Sequence, residues 1–99
     1  MKALWNNTVI AEAPEQDLIK IEGNWYFPPE SINRQYLKPS YETSECVWKG
    51  TASYHDVVVD DERSEAAAWY YHEPNDSAIA RVGKDFTDYI AFWRGVEVA

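Results

Sequence analysis

A single cysteine, Cys46, occurs among the 99 residues of the chain. One thiol cannot form a disulfide within the chain, so packing alone must stabilise the domain. This is the usual situation in a reducing cytosol, and we therefore expect a cytoplasmic protein. Cys46, His55 and His72 are also the only soft metal ligands. They are far apart in sequence, whereas structural zinc sites use closely spaced pairs, so we predict no metal site.

Basic residues are scarce as well. The chain has 9 Lys and Arg against 17 Asp and Glu, which gives a net charge of −8, and it has no run of basic residues. Proteins that bind nucleic acids usually carry a basic stripe that neutralises phosphates. Anionic membranes also attract basic surfaces. The charge therefore argues against both kinds of partner.

Long apolar runs and glycine-rich stretches are absent. No apolar segment approaches the ~20 residues that a membrane-spanning helix requires, and residues 1–15 lack the apolar run of a secretory signal. The four glycines are isolated, so the sequence contains no glycine-rich phosphate loop. The sequence shows neither repeats nor a linker. A chain of this length then corresponds to one domain, residues 1–99.

Aromatic residues are what the chain has in abundance. They make up 15% of it, with 5 Trp and 7 Tyr. Each large ring buries an extensive apolar area, so a few rings can stabilise a small domain. The same rings can also form the walls of a ligand pocket, and composition does not separate these two uses.

Short runs of β-branched and aromatic residues alternate with turn signals, which is typical of an antiparallel β domain. The runs predict strands at 2–5, 8–12, 17–22, 25–27, 51–60, 66–72 and 89–93, short helical turns at 30–37 and 77–82, and a connector or edge strand at 41–45. No helix of ordinary length is predicted. The fold class is therefore mainly β: two packed antiparallel sheets or a small open barrel, with one or two short helical turns.

Several motifs occur in an order that resembles a known family. They are Tyr26-Phe27-Pro28-Pro29-Glu30-Ser31, Asn33-Arg34-Gln35-Tyr36-Leu37, Cys46-Val47-Trp48-Lys49-Gly50-Thr51-Ala52-Ser53-Tyr54, Ala68-Trp69-Tyr70-Tyr71 with Glu73-Pro74, and Tyr89-Ile90-Ala91-Phe92-Trp93. Over nearly the whole chain they resemble the bacterial and fungal family catalogued as domain-of-unknown-function family 427. Val47 departs from the family pattern, which more often has proline between the cysteine and the tryptophan.

The resemblance implies a mainly β fold similar to the β-tent domains, in which two sheets meet at an angle. It implies no settled activity, although the family carries a nucleotidyltransferase-like label. Such a reaction usually needs carboxylates that hold Mg²⁺ and a cradle for the triphosphate. Asp60 and Asp61 are adjacent, so on a strand their side chains would point to opposite faces. We interpret them as a solvated turn, and Asp85 and Asp88 as part of a loop.

Cys46 is a candidate reactive thiol. Lys49 is close enough in sequence to lower the pKa of a nearby thiol, and His55 or His72 could act as a base. The competing interpretation is that a lone cysteine is more often a small buried apolar residue. Rapid alkylation of the native protein would favour the first interpretation.

The aromatic residues give the leading hypothesis for function. Rings from separate segments could converge on one pocket, where stacking and cation–π contacts would hold a small molecule. Lys49 would lie at its rim, and Gly50 would allow a close approach of the backbone. The predicted ligand-binding residues are Trp48, Lys49, Ser53, Trp69 and Tyr71, with Tyr26 and Arg34 as further members.

Three interpretations compete with this pocket. The rings could simply form the core of a small domain. The chain could be a nucleotidyltransferase-like enzyme that uses Mg²⁺ and a nucleotide. It could also be a protein-interaction module that presents a sheet edge or an aromatic patch. The sequence points to no particular cofactor, and it leaves monomer and homodimer open.

Overall fold

The computed structural model describes residues 1–99, and the fold is mainly β, as the sequence predicts. Nine strands are joined by one short helix and three 3₁₀ turns. The strands are β1 (Lys2–Trp5), β2 (Thr8–Glu12), β3 (Ile19–Ile21), β4 (Asn24–Tyr26), β5 (Leu37–Cys46), β6 (Gly50–Val59), β7 (Glu62–Tyr70), β8 (Ala91–Phe92) and β9 (Glu97–Val98). Helix α1 spans Asp76–Val82, and the 3₁₀ turns span Glu15–Asp17, Pro29–Ser31 and Arg34–Tyr36.

The strands form three antiparallel sheets rather than the two expected. Their strand orders are β2-β1-β9, β3-β4 and β5-β6-β7-β8. The sheet of β1 and β2 gains its third strand from β9, a two-residue strand that the sequence did not predict. It pairs with β1, and Lys2 and Ala99 exchange backbone hydrogen bonds of 2.8 and 3.0 Å. A strand this short carries no periodic signal, so its pairing is decided by tertiary contacts.

Two hairpin turns show how closely turn chemistry can be predicted. Asn6 and Asn7 join β1 to β2 with φ of 51° and 59°, as expected of residues that tolerate the left-handed region. The turn between β3 and β4 was expected at Gly23 and Asn24. It is instead made by Glu22 and Gly23, with φ of 53° and 84°. This shift by one residue places Asn24 at the start of β4.

The segment around Pro39 differs from its prediction. Residues 30–37 form two separate 3₁₀ turns, and β5 then begins at Leu37 and runs through Lys38, Pro39 and Ser40. Proline lacks a backbone N–H, but β5 is an edge strand with only β6 beside it. The pairing register also shifts between Pro39 and Thr43. Proline is therefore accommodated at the edge of the sheet and does not end the strand.

The four-stranded sheet is buried on both faces, and this creates two cores. The main core comprises Ala3, Ile10, Ala11, Ala13, Leu18, Phe27, Ile32, Leu37, Val57, Val59, Ala67, Ala68, Ile90, Phe92 and Val96. The second core comprises Ile19, Ile21, Tyr26, Ala52, Tyr71, Ala78, Phe86 and Ala91. Consecutive residues can therefore enter different cores, as Tyr26 and Phe27 do. Ile10 and Ala11 on β2, and Ala67 and Ala68 on β7, instead lie together in the main core.

Side chains near the end of the chain alternate between the two cores, although the strand there is shorter than the predicted 89–93. Ile90 and Phe92 lie in the main core, and Ala91 lies in the second core with Tyr89 packed against it. Only Ala91–Phe92 form a strand. Trp93 follows directly, so it emerges on the same side as Ala91.

A bulge in β7 explains how three consecutive alanines are all buried. Ala66 has φ of 50°, and its backbone N–H donates a hydrogen bond of 2.7 Å to Oδ1 of Asp56. Asp56 also forms an ion pair with Arg63. Because the carboxylate satisfies the N–H that the bulge removes from the ladder, the irregularity is stabilised.

None of the helices is long and apolar enough to cross a membrane.

Candidate functional site

An open cavity of about 270 Å³ lies on the side of the four-stranded sheet that carries the second core. Its walls are formed by Asn24, Lys49, Tyr54, Trp69, Tyr71 and Trp93. Four of these six residues are aromatic. They come from the β3–β4 hairpin, the β5–β6 loop, strands β6 and β7, and the residues that follow β7 and β8.

The sheet positions two of the rings directly. Tyr54 and Trp69 are opposite each other across β6 and β7. Trp93 packs edge-to-face on Trp69 with ring centroids 5.6 Å apart, and it lies tilted against Tyr54 at 6.5 Å. Cross-strand neighbours on one face are close enough for large rings to touch. The wall is therefore a consequence of strand register.

Hydrogen bonds fix the orientation of both indoles. Nε1 of Trp69 donates to the hydroxyl of Tyr26 at 3.0 Å, and Nε1 of Trp93 donates to the backbone oxygen of Ala66 at 2.7 Å. Tyr26 is completely buried, and its ring packs edge-to-face on Trp69. Since both indole donors are used inside the protein, the rings offer their apolar surfaces to the cavity.

Lys49 is held by the loop between β5 and β6. The backbone N–H of Asn75 donates to the Lys49 oxygen at 3.0 Å, and the Asn75 amide donates to the Trp48 oxygen at 3.1 Å. Gly50 follows with φ of 115°, a conformation that side chains rarely adopt. These constraints direct the lysine inward. Its ammonium lies 5.3 Å from the ring centre of Trp48 and 5.4 Å from that of Tyr71.

The ammonium of Lys49 forms an ion pair with the carboxylate of Glu22. The two partners differ greatly in exposure, because the lysine side chain is 7% exposed and the glutamate side chain is 54% exposed. The hydrogen bond from Lys49 lowers the pKa of Glu22. Burial acts to lower the pKa of Lys49, but Glu22 and the phenols of Tyr26 and Tyr71 outweigh it and raise that pKa. The pair is therefore fully charged at neutral pH.

Two tyrosine hydroxyls lie near this ammonium. Burial raises the pKa of Tyr71 to about 12, and burial also raises the pKa of Tyr26. Both phenols are consequently protonated over the physiological range. Around one buried cation the site thus combines a charged acceptor, Glu22, with neutral hydroxyl groups.

The structure brings together five of the residues predicted to bind a ligand. Lys49, Trp69 and Tyr71 line the cavity, and Trp48 and Tyr26 lie directly behind them. Trp48 is itself covered by the guanidinium of Arg81, 4.4 Å from its ring centre. Lys49 was expected at a rim, but only 6% of it is exposed. Cys46 is partly buried and packs against the second core.

Ser53 and Arg34 lie elsewhere. Ser53 precedes Tyr54 on β6, so the pleat places it on the opposite face, where it lines a different cavity with Thr51, His72 and Glu73. Arg34 borders a third cavity that also contains His55 and Tyr70. The prediction that these two residues lie beside Lys49 was wrong. It neglected the alternation of side chains along β6 and the position of the 3₁₀ turn at Arg34–Tyr36.

Sequence reasoning missed Glu22, Asn24, Tyr54 and Trp93 as members of the site. Tyr54 and Trp93 could have been found, since alternation on β6 and on the last predicted strand places them with other aromatic rings. Glu22 and Asn24 had no such signal. They reach the site only because the β3–β4 hairpin folds against the β5–β6 loop, which is a tertiary contact.

The carboxylates that a Mg²⁺-dependent reaction would require are not gathered at this cavity. No group of three or more His, Cys, Asp and Glu side chains lies close enough to hold a metal ion. Asp60 and Asp61 occupy the exposed turn between β6 and β7, as predicted. Asp85 accepts hydrogen bonds from Thr87, and Asp88 pairs with His72. The carboxylate found at the cavity is that of Glu22, and its charge is already paired with Lys49.

Comparison with known proteins identifies the family of this chain. A search of curated proteins found no match for this chain. A family model does match it, over residues 1–98, which is nearly its whole length. The short name of that family model is NTP_transf_9, which refers to nucleotidyltransferases, while its description assigns no function. The chain thus belongs to the family described as "Domain of unknown function (DUF427)".

Proposed function

We propose that the protein binds a small, flat organic molecule in the cavity formed by Tyr54, Trp69, Tyr71 and Trp93. One observation carries this proposal: four aromatic rings border one open cavity, and both indole N–H groups are hydrogen-bonded away from it. A packed core would bring such rings into mutual contact without leaving space between them. Here Trp93 contacts Trp69 and Tyr54, yet the four rings still border an open cavity that a planar molecule would fill.

The size of the cavity limits the ligand. Its volume is about 270 Å³, which is near the lower end of the range of about 300–1,000 Å³ typical of ligand pockets. One or two fused rings would occupy it. The rings also lie on β6, β7 and the residues that follow β8, and rigid strands hold a binding site more precisely than loops do.

Lys49 and Asn24 supply the polar part of the site. The ammonium of Lys49 lies in the cavity wall, and Asn24 contributes an amide from the start of β4. A few placed polar groups within apolar walls orient a ligand and give it specificity. The ligand should therefore carry a hydrogen-bond acceptor at the edge that faces Lys49.

Thermal unfolding with a small panel of compounds tests this proposal. The panel contains quinoline, benzamide and 2-naphthamide, trimethylammonium compounds, and nucleotides with and without Mg²⁺. A ligand at 100-fold its dissociation constant adds about 2.7 kcal/mol to the stability of the native state. We expect the flat amides to raise the unfolding midpoint without metal.

Trp93→Ala and Trp25→Ala form a matched pair of variants. Trp93 is 42% exposed and lines the cavity, whereas Trp25 lies on β4 and packs against the main core. A cation covers each ring, Arg94 at 4.4 Å and Lys20 at 5.0 Å. Stabilisation by the amides should be lost in Trp93→Ala and kept in Trp25→Ala. Equal loss in both variants would refute the cavity as the binding site.

The same panel addresses the two alternatives from the sequence. Stabilisation by nucleotide only in the presence of Mg²⁺ would support the nucleotidyltransferase-like interpretation against ours. If no compound has an effect, the pocket proposal fails and the interaction module becomes the better hypothesis. Tyr41 and Val47 are the fully exposed apolar residues that such a module would use.

A further inference from the structure

We propose that the ligand carries a carboxylate group, and that this group replaces Glu22 as the partner of Lys49. The inference rests on the proposed function and names the chemical class of its ligand: a flat ring of one or two cycles bearing an acidic substituent. Glu22 then acts as an internal competitor, which occupies the cation while the cavity is empty.

The unequal burial of the ion pair supports an exchange of partners. Lys49 is almost completely buried, so its ammonium needs a negative partner, because an unpaired buried charge is strongly unfavourable. Glu22 is more than half exposed, so water solvates its carboxylate readily once the ion pair is broken. Replacing Glu22 by another carboxylate therefore keeps the buried cation paired and releases a group that is stable in water.

The position of the ammonium makes the exchange geometrically direct. Lys49 both contacts Glu22 and lines the cavity. A carboxylate at the edge of a ring bound in the cavity, against the wall formed by Trp69 and Trp93, would face this cation. Tyr71, which also lines the cavity, is protonated and can donate a hydrogen bond to the same group. A hydroxyl donates a stronger hydrogen bond to a charged carboxylate than to a neutral acceptor.

The turn that carries Glu22 is suited to releasing it. Glu22 and Gly23 are the two central residues of the hairpin turn between β3 and β4, and Glu22 has φ of 53°. The corresponding turn between β1 and β2 uses two asparagines, which tolerate this conformation better than glutamate does. The side chain of Glu22 extends from a short exposed turn and is not packed in a core. It can leave Lys49 without disturbing β3 or β4.

Other ligand charges fit the site less well. A cationic ligand would place its charge beside the buried ammonium of Lys49, and like charges at close range repel. A neutral ligand would leave the ion pair in place and use only the remaining donors. An acidic ring compound is the class that uses both the aromatic walls and the cation.

Paired probes of equal shape test the charge. 2-Naphthoate and 2-naphthamide have the same ring system and differ in the charge of one substituent. We would measure their affinities by calorimetry for the native chain, Glu22→Gln and Glu12→Gln. Glu12 is a matched control, because it pairs with Lys2 at 3.9 Å on an exposed surface and its removal changes the net charge equally.

Glu22→Gln should bind 2-naphthoate about fivefold more tightly than the native chain does, as expected when an ion pair of ordinary exposed strength no longer competes. Its affinity for 2-naphthamide and both affinities of Glu12→Gln should remain unchanged. Lys49→Met should lose the preference for 2-naphthoate, while Lys20→Met, which removes a lysine from above Trp25, should keep it.

A measurement on the native chain keeps the proposal testable if Glu22→Gln folds poorly. Adding 2-naphthoate should shift the ¹³C carboxylate resonance of Glu22 toward that of a free glutamate, and 2-naphthamide should leave it in place. If 2-naphthamide binds in a manner that requires Trp93 but 2-naphthoate neither displaces Glu22 nor gains from its removal, this inference fails and the proposed function stands. If neither probe binds, both fail.

Discussion

The two cores of this small domain are built from different chemistry. Every member of the main core is an alanine, a branched aliphatic residue or a phenylalanine, and none has a polar side-chain atom. The second core contains the hydroxyls of Tyr26 and Tyr71, and the buried ammonium of Lys49 lies beside it. The cavity beside the second core has four aromatic rings in its wall, whereas the cavity that Ile90 of the main core borders is lined mostly by polar residues. Under the proposed function, stability and binding would be served by opposite faces of one sheet.

This division explains an otherwise costly arrangement. Polar groups and a cavity lower the stability that a core can provide, because buried polar atoms lose water and empty space loses contacts. A domain of 99 residues has little stability to spare. Confining these features to the smaller core leaves the larger one densely packed. Substitutions in the main core should therefore unfold the chain, and substitutions beside the cavity should alter mainly its site.

The largest effect is expected in the main core. Phe27 is completely buried, packs edge-to-face on Phe92 at 5.7 Å, and exchanges backbone hydrogen bonds with Ile90. Phe27→Ala should lower the free energy of unfolding by about 3–5 kcal/mol, since it removes a large ring and leaves a cavity. Urea denaturation measures this loss, and Phe27→Leu is the milder control. A loss below about 1 kcal/mol would show that the main core is not the stabilising one.

The second-largest effect is expected at the ion pair of Lys49 and Glu22, whose two partners should differ in how much their loss lowers stability. Glu22→Gln leaves a buried ammonium without its charge partner, and we expect it to cost about 1–2 kcal/mol, less than for a fully buried pair because Glu22 is half exposed. Lys49→Met should change stability by less than about 1 kcal/mol, because methionine retains the packing on Trp48 and Tyr71 and the remaining glutamate is solvated.

A double-mutant cycle checks this asymmetry by chemical denaturation. In the presence of Lys49→Met, adding Glu22→Gln should have little further effect, because there is no longer a buried cation to leave unpaired. If Lys49→Met proves the more damaging of the two single changes, the lysine is required for packing and the exchange of its partners becomes implausible.

Particular elements show how much of this organisation the sequence could predict. The mainly β class and the Asn6–Asn7 hairpin are both local, since they depend on turn chemistry and on period-two patterns. Helix α1 is also short and local, and it was predicted at nearly its observed place. The strand β9 could not be predicted, because two residues carry no periodicity and only the pairing with β1 defines them.

The candidate site was predicted less completely for a related reason. Trp69 and Tyr71 were grouped correctly because they alternate on one face beyond the bulge of β7. Ser53 was misplaced because it was chosen for its chemistry without regard to the face of β6 on which it lies. Glu22 was missed because an exposed turn residue gives no sign that it reaches a buried lysine 27 positions away. Long-range pairing of charges is decided by the packing of hairpins, which a single sequence does not reveal.

Lowering the pH should reduce the contribution of the Lys49–Glu22 ion pair to stability, and this effect should be smaller than those of the substitutions above. The hydrogen bond from Lys49 holds the pKa of Glu22 below its ordinary value of 4.5 in the folded chain. A group whose pKa is depressed by folding contributes stability above its unfolded pKa and loses that contribution as the pH falls through its folded pKa. The difference in stability between the native chain and Glu22→Gln should therefore shrink below about pH 4.5. Urea midpoints at pH 7 and pH 3 measure this, and an unchanged difference would contradict the ion pair.

The smallest effects concern the two histidines, which respond to folding with opposite signs. Burial, with a contribution from Arg34, lowers the pKa of His55 below 6.5, where its ring stacks on Tyr70 at 4.9 Å. The hydrogen bond that His72 donates to the carboxylate of Asp88 raises the pKa of this exposed histidine above 6.5. His55 therefore contributes stability above pH 6.5 and loses it as the pH falls through its folded pKa. His72 contributes below pH 6.5 and loses its contribution as the pH rises.

Nuclear magnetic resonance titration of the two imidazoles should give one midpoint on each side of pH 6.5. Asp88→Asn should return the pKa of His72 toward its ordinary value, because its charged partner is removed, and should leave the pKa of His55 low. Coincident midpoints would mean that the face of β6 carrying His55 is as accessible to water as the exposed His72. The burial of His55 beside Tyr70, which packs against the main core, would then no longer hold.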